Sequence, residues 1–231
     1  MRRTTLIAGL LGLAAVLTGC GLGEHNQDTV TYDVTDKVAG LRVEADSGTV
    51  EVIESDREGI HVSERLTWRK EKPKTTHAVR GDTLELSFTC PTSWGLGAAG
   101  VSCDVSYRVE VPKGLRVKAG TDSGDLTLTD LSGEIEATSD SGAIVAGGLT
   151  GKRLVARTDS GDMTLTFTGQ PDKVTTTTDS GSTQIHVPRG PYNVVAKTDS
   201  GGKAITTDSD ASAPRSIELT SDSGDLAVST P

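Results

Sequence analysis

The chain has 231 residues, 23 basic against 32 acidic for a net charge of −9, and only 3% aromatic residues. An acidic chain so poor in aromatics lacks the electrostatic footprint for DNA or RNA, which excludes nucleic-acid binding, and it has no aromatic-rich core. Glycine at 27 copies, set among recurring Val, Thr, Ser and Asp, favours many short β-strands joined by tight turns over a helical bundle.

Residues 1–19 read as a secretory signal. Met1-Arg2-Arg3 is a short positive segment, and Leu6 to Leu17 is an apolar run of 12 residues. Twelve helical residues span about 18 Å, too short for a hydrocarbon core of roughly 30 Å. The run ends in Leu17-Thr18-Gly19-Cys20, which resembles the lipobox of bacterial lipoproteins. That resemblance implies that Cys20 becomes a lipid-modified N-terminus carrying palmitate-like chains, with residues 20–27 as a lipidated tether. The alternative is an ordinary signal peptide with an incidental Cys. Two or more acyl chains anchor stably where one is marginal, so the expected location is the extracytoplasmic face of the bacterial cell membrane.

Residues 28–114 read as an N-terminal β region, an irregular β-sandwich or the wide start of a solenoid. One repeat-like unit, LRVEADSGTVEV (41–52), is followed by strand candidates at Ile60–Val62, Leu84–Phe88 and Tyr107–Val111. Between them Glu64 to Arg80 is locally basic and reads as a solvated hairpin face. Cys90 and Cys103 remain as an even pair in an oxidising compartment, bracketing a loop of 12 residues, and are expected to form a disulfide. A bridge over a loop of that size contributes roughly 3 kcal/mol.

Residues 115–231 carry the strongest signal, internal repetition. Asp-Ser-Gly occurs at Asp46, Asp122, Asp140, Asp159, Asp179, Asp199 and Asp222, the last six spaced by 18, 19, 20, 20 and 23 residues. Five residues before each Asp stand Leu41, Val117, Ile135, Leu154, Val174, Val194 and Ile217, aliphatic in every copy. Six residues after it the position is apolar again, while four after it two copies depart, with Thr183 and Lys203. Period-two alternation on both sides of a turn means two half-buried strands per repeat. The expected turn chemistry is an Asp carboxylate accepting from the backbone two residues on, with Gly48, Gly124, Gly142, Gly161, Gly181, Gly201 and Gly224 supplying positive φ. Two strands and two corners in about 20 residues make one coil of a narrow β-solenoid of the right-handed type, all-β, in which like stacks on like. An antiparallel β-meander or sandwich with the same turns is the competing layout.

The segments LRVEADSGTVEV and YRVEVPKGLRVKAGTDSGDLTL resemble the bacterial family of candidate adhesins with β-strand repeats, a domain whose function is not established. The resemblance implies a surface-exposed β-solenoid and an adhesion role, and it brings no catalytic or binding residues.

Motifs that suggest chemistry have plainer readings. Asp-Ser-Gly is also the aspartic-protease tripeptide, but seven copies at coil spacing are a structural turn. Gly95-Leu-Gly97-Ala-Ala-Gly100 matches a dinucleotide fingerprint without room for its helix, and Ser200-Gly-Gly-Lys203 lacks its partner motifs. His25, His61, His77 and His186 show no ligand spacing. No catalytic, cofactor or metal residue is therefore assigned. A Ca²⁺-dependent variant stays open, in which stacked Asp residues, helped by Asp125, Asp162 and Asp225, bridge neighbouring coils; so does an envelope enzyme acting on glycan. The expectation is a non-enzymatic, membrane-anchored lipoprotein without a cofactor, facing an envelope or surface partner.

Overall fold

The computed structural model describes residues 25–91 and 102–230. The lipobox cysteine Cys20, the signal segment, Trp94 and the Gly95–Gly100 motif lie outside the described residues. Strands β1 (Asn26–Val34), β2 (Gly40–Ala45), β3 (Val50–Glu54), β4 (Ile60–Arg69), β5 (Lys74–Arg80), β6 (Thr83–Thr89) and β7 (Ser102–Val111) come first. The repeat region supplies β8 (Arg116–Thr121), β9 (Leu126–Thr129), β10 (Ile135–Ser139), β11 (Ile144–Leu149), β12 (Arg153–Thr158) and β13 (Met163–Phe167). It closes with β14 (Lys173–Ser180), β15 (Thr183–His186), β16 (Asn193–Ser200), β17 (Lys203–Ile205), β18 (Ser216–Ser223) and β19 (Leu226–Ser229).

The strands form two sheets. One has the order β1-β4-β7-β3-β9-β11-β13-β15-β19-β17, the other β16-β18-β14-β12-β10-β8-β2-β6-β5. Each repeat gives one strand to each sheet, and neighbouring repeats pair in parallel, for instance Ile135 opposite both Val117 and Leu154. Parallel pairing between repeats rules out the antiparallel meander, because hairpin neighbours would run in opposite directions. Zero offset stacks like on like: Leu126, Ile144, Met163, Thr183 and Leu226 form one interior row. The rows meet in one continuous apolar core that runs from Val34 to Val228.

The core does not break at residue 114. β2 and β3 stack directly on β8 and β9, so the Asp46 unit is a full member of the solenoid. Beyond it β6 and β7 form a wider coil, joined by the Cys90–Cys103 disulfide with the Cα atoms 5.7 Å apart. Only past that coil does pairing turn antiparallel, with β4 and β1 closing one sheet and β5 the other. Tyr32 on β1 stacks on His77 of β5, ring centroids 4.4 Å apart, and so joins the two closing edges. β1 begins at Asn26, so the tether expected over residues 20–27 gives its last two residues to a strand.

At the other end the chain order is not the spatial order. The last coil, β18–β19, lies between β14–β15 and β16–β17. The coil of residues 193–205 thus stands at the end of the stack. There Lys203, at the interior position that holds Leu126, Ile144, Met163, Thr183 and Leu226 in other coils, is exposed. A charge in the core row of an edge strand opposes further pairing with another chain.

Candidate functional site

The repeated corners are built differently from the sequence expectation. None of the seven Asp-Ser-Gly glycines has positive φ; that conformation falls instead at Gly81, Gly114, Gly148 and Gly190. The requirement for glycine is close approach. A Cβ on Gly161 would lie 2.0 Å from the carbonyl oxygen of Gly142, and one on Gly142 1.9 Å from that of Gly124. Each corner sits on the backbone of the one before it, and no side chain fits between them.

The carboxylates are not the turn acceptors either. The hydroxyl one residue before the Asp takes that role: the Gly124, Gly142 and Gly161 N–H groups donate to Thr121, Ser139 and Thr158 at 3.0, 2.8 and 2.9 Å. The Asp backbone carbonyls receive the next coil, as when Ser160 N–H donates to Asp140 O at 2.9 Å. The seven Asp residues are left exposed, an acidic ridge along one edge. Ser or Thr precedes the Asp in six of the seven copies, but the cap forms in these three; the Thr178 and Ser221 hydroxyls are buried without a partner and Thr198 donates to Gly224 O.

Asp125, Asp162 and Asp225 are engaged elsewhere. They accept from the backbone N–H groups of Ala143, Ser182 and Gly202 in the adjoining coil at 3.0, 2.8 and 2.7 Å. They act as staples between coils. Among the described residues no three His, Cys, Asp or Glu side chains are grouped as a metal ion would need.

A cavity of about 280 Å³ opens beside the ridge, with Gly120, Thr121 and Thr138 among its lining residues. Glu44, Asp46, Asp122 and Asp140 rim it, with Phe88 at one side. Glu44 is already paired with Arg42 at 2.7 Å. The rim offers acceptors and negative charge, with neither His nor Cys among its lining residues.

The histidines are placed apart. His61 Nδ1 lies 2.9 Å from Asp33 Oδ1, and this contact, foremost, holds the Asp33 carboxyl below its ordinary range. His186 Nδ1 lies 2.7 Å from Ser229 Oγ, the closest approach to a nucleophile and base. Both sit on an open sheet face, and no carboxylate among the described residues is bonded to the other ring nitrogen to orient it. The pair serves as a rung between coils.

One polar group of the basic stretch is buried, not solvated. Glu64 lies on the buried face of β4 at 1% exposure, and the Tyr32 hydroxyl donates to its Oε1 at 2.7 Å. Glu64 Oε2 and the Tyr107 hydroxyl are both buried without a partner. Burial, then the Glu64 carboxylate, raises the pKa of both tyrosines. The alternation Ile60, Val62, Glu64, Leu66 already placed Glu64 inward. The basic side chains of the stretch stay outside the core: Lys72 pairs with Asp28 and lies 5.4 Å from the Trp68 ring centre, and Arg80 pairs with Glu85.

With the fold in view, residues 113–230 match the family described as Toastrack DUF4097, and the chain belongs to that family. Three solved structures are similar in shape. A cell-adhesion candidate from Clostridium sporogenes is 14% identical, covering 89% of this chain and 100% of its own, at a TM-score of 0.45. A candidate adhesin from Bacteroides fragilis is 14% identical, covering 88% and 97%, at 0.47. Another from Parabacteroides merdae is 12% identical, covering 87% and 96%, at 0.34. No curated protein matches the chain.

Proposed function

We propose that the protein is a non-enzymatic, lipid-anchored module that holds a rigid β-solenoid outside the bacterial cell membrane and presents it to an envelope or surface partner, in an adhesion role. The observation that carries this reading is the register of the stack. Parallel pairing without offset sets the outward side chains of successive coils in straight rows, which suits extended contact better than a converging pocket. The apolar run before Cys20 supplies the export signal and the lipid attachment point.

Fractionation of cells carrying the chain and its Cys20→Ser variant tests the proposal. Expected is wild-type protein in the membrane fraction, digestible by protease added outside the cell, and release of the variant. Wild-type protein found in the cytoplasm, or unlipidated in the medium, overturns it. The adhesion role is measured separately, as loss of surface attachment by cells lacking the protein and recovery when it is restored.

A further inference from the structure

The two outer faces of the stack differ in charge. The sheet that contains β8, β10, β12 and β14 turns Lys118, Glu136, Arg157 and Lys173 outward on successive coils. The opposite sheet, from β9 across β11, β13 and β15 to β19, has no Asp, Glu, Lys or Arg at any outward strand position. One outward row runs Thr127, Val145, Thr164, Gln184 and Ala227 without offset; the second holds Thr129 and Gly147, then, past a bulge in β11, Thr166, His186 and Ser229. The His186–Ser229 hydrogen bond fixes the end of one row.

Resting on the reading of the protein as a surface-presented module, we infer that this uncharged face binds a neutral, linear polysaccharide. Charge decides the class of partner. In a chain of net charge −9, contact on this face desolvates no ion and offers none to a charged polymer. The exposed Asp ridge along its border repels anionic polymers and anionic lipid surfaces. Size decides the shape of partner. Five strands at about 4.8 Å spacing and two outward residues on each give a band on the order of 250 Å², against about 800 Å² per partner in a stable protein interface. A long, narrow band suits a chain laid across the strands. Thr hydroxyls, the Gln184 amide and the His186 ring provide donors and acceptors together, the complement of sugar hydroxyls. No aromatic platform lies among these outward positions. Each sugar is therefore held by hydrogen bonds alone, and affinity accumulates along several coils.

The test uses the full chain, solubilised from membranes in a neutral detergent, with insoluble chitin as the probe. Expected is saturable depletion that persists at high salt and is not competed by the monosaccharide. Thr164→Glu with Thr166→Glu, both outward, weakens it by at least about tenfold. Gln184→Glu, which changes shape very little, also weakens it and serves if the double variant misfolds. Thr175→Glu with Thr177→Glu, on the opposite face, leaves it unchanged. Absence of wild-type depletion, equal depletion by Gln184→Glu, or loss in the Thr175/Thr177 variant alone each overturns the inference. Failure of the anchored-module reading shows separately, in the cell fractionation.

Discussion

Replacing Gly161 by Ala probes the stacked corner directly. The new Cβ would stand 2.0 Å from Gly142 O and 3.0 Å from Thr158 Oγ1, while an ordinary contact needs well over 3 Å. Because the obstacle is backbone, relief requires the two coils to separate locally by more than 1 Å. That displacement strains the Ser160 N–H to Asp140 O bond at 2.9 Å and the Gly161 N–H to Thr158 bond at 2.9 Å. Overpacking of about 1–3 kcal/mol and about 1 kcal/mol for a weakened hydrogen bond sum to roughly 3 kcal/mol. For a domain of this size that is a fall in Tm of about 6–12 °C, read by calorimetry or circular dichroism. Gly142→Ala should behave alike, since its Cβ meets Gly124 O at 1.9 Å. The contrast is Asp159→Asn. Its side chain is exposed, so stability should change by no more than about 0.5 kcal/mol, with Tm moving upward at low salt as like charges along the ridge are thinned. A Gly161→Ala protein melting within 2 °C of wild type, at about the precision of such scans, would refute the close-approach account.

The buried Glu64 gives an asymmetric pair. Tyr32→Phe removes the donor to a carboxylate whose second oxygen is already unpartnered, and should cost about 2–3 kcal/mol, whereas Glu64→Met removes the charge itself and should cost less or stabilise; equal losses in chemical denaturation would contradict this. Reducing the Cys90–Cys103 bridge, or replacing both cysteines by Ala, should lower stability by about 3 kcal/mol, and the thiols should resist alkylation until reduced. Ending the chain at Arg215 should strip hydrogen-exchange protection from residues 193–205 while β8 to β13 keep theirs, because the strand partners of β16 and β17 are β18 and β19. Retained protection there would mean that the terminal coil can re-dock on β14–β15.

The repeat was legible because a parallel stack without offset forces the same choice at the same place in every coil. The aliphatic row from Leu41 through Val117 and Ile135 is both a sequence pattern and a line of contacts. The turn chemistry was half legible. Asp and Gly stood out by type, but the hydroxyl at Thr121, Ser139 and Thr158 makes the capping bond, and the glycine answers to a neighbouring coil that local turn rules do not contain. Glu64 was hidden by its neighbours. A basic run invited a solvated reading, although period-two alternation on β4 turned this one carboxylate inward.

The order of the coils was not legible at all, and the reason is the same regularity that made them visible. Val194 and Ile217, Ala196 and Leu219, Thr198 and Ser221 occupy equivalent positions on β16 and β18, so either coil presents a face that fits against Val174, Thr176 and Thr178 of β14. The pattern therefore does not distinguish the two placements. What separates them is the exposed end. Lys203 replaces an apolar residue on the interior row of β17, whereas β19 carries Leu226 there, buried at 1%. Placed second, β16–β17 would bury that ammonium between two coils at a cost of several kcal/mol; placed last, it leaves the charge in water. Lys203→Leu should accordingly weaken the preference for the observed order and uncover an apolar edge. The measurable consequence is concentration-dependent association of the variant in sedimentation, with wild type unchanged over the same range. A variant that stays monomeric with unchanged exchange protection over 216–229 would show that the loop of residues 206–215, and not the charge, sets the order.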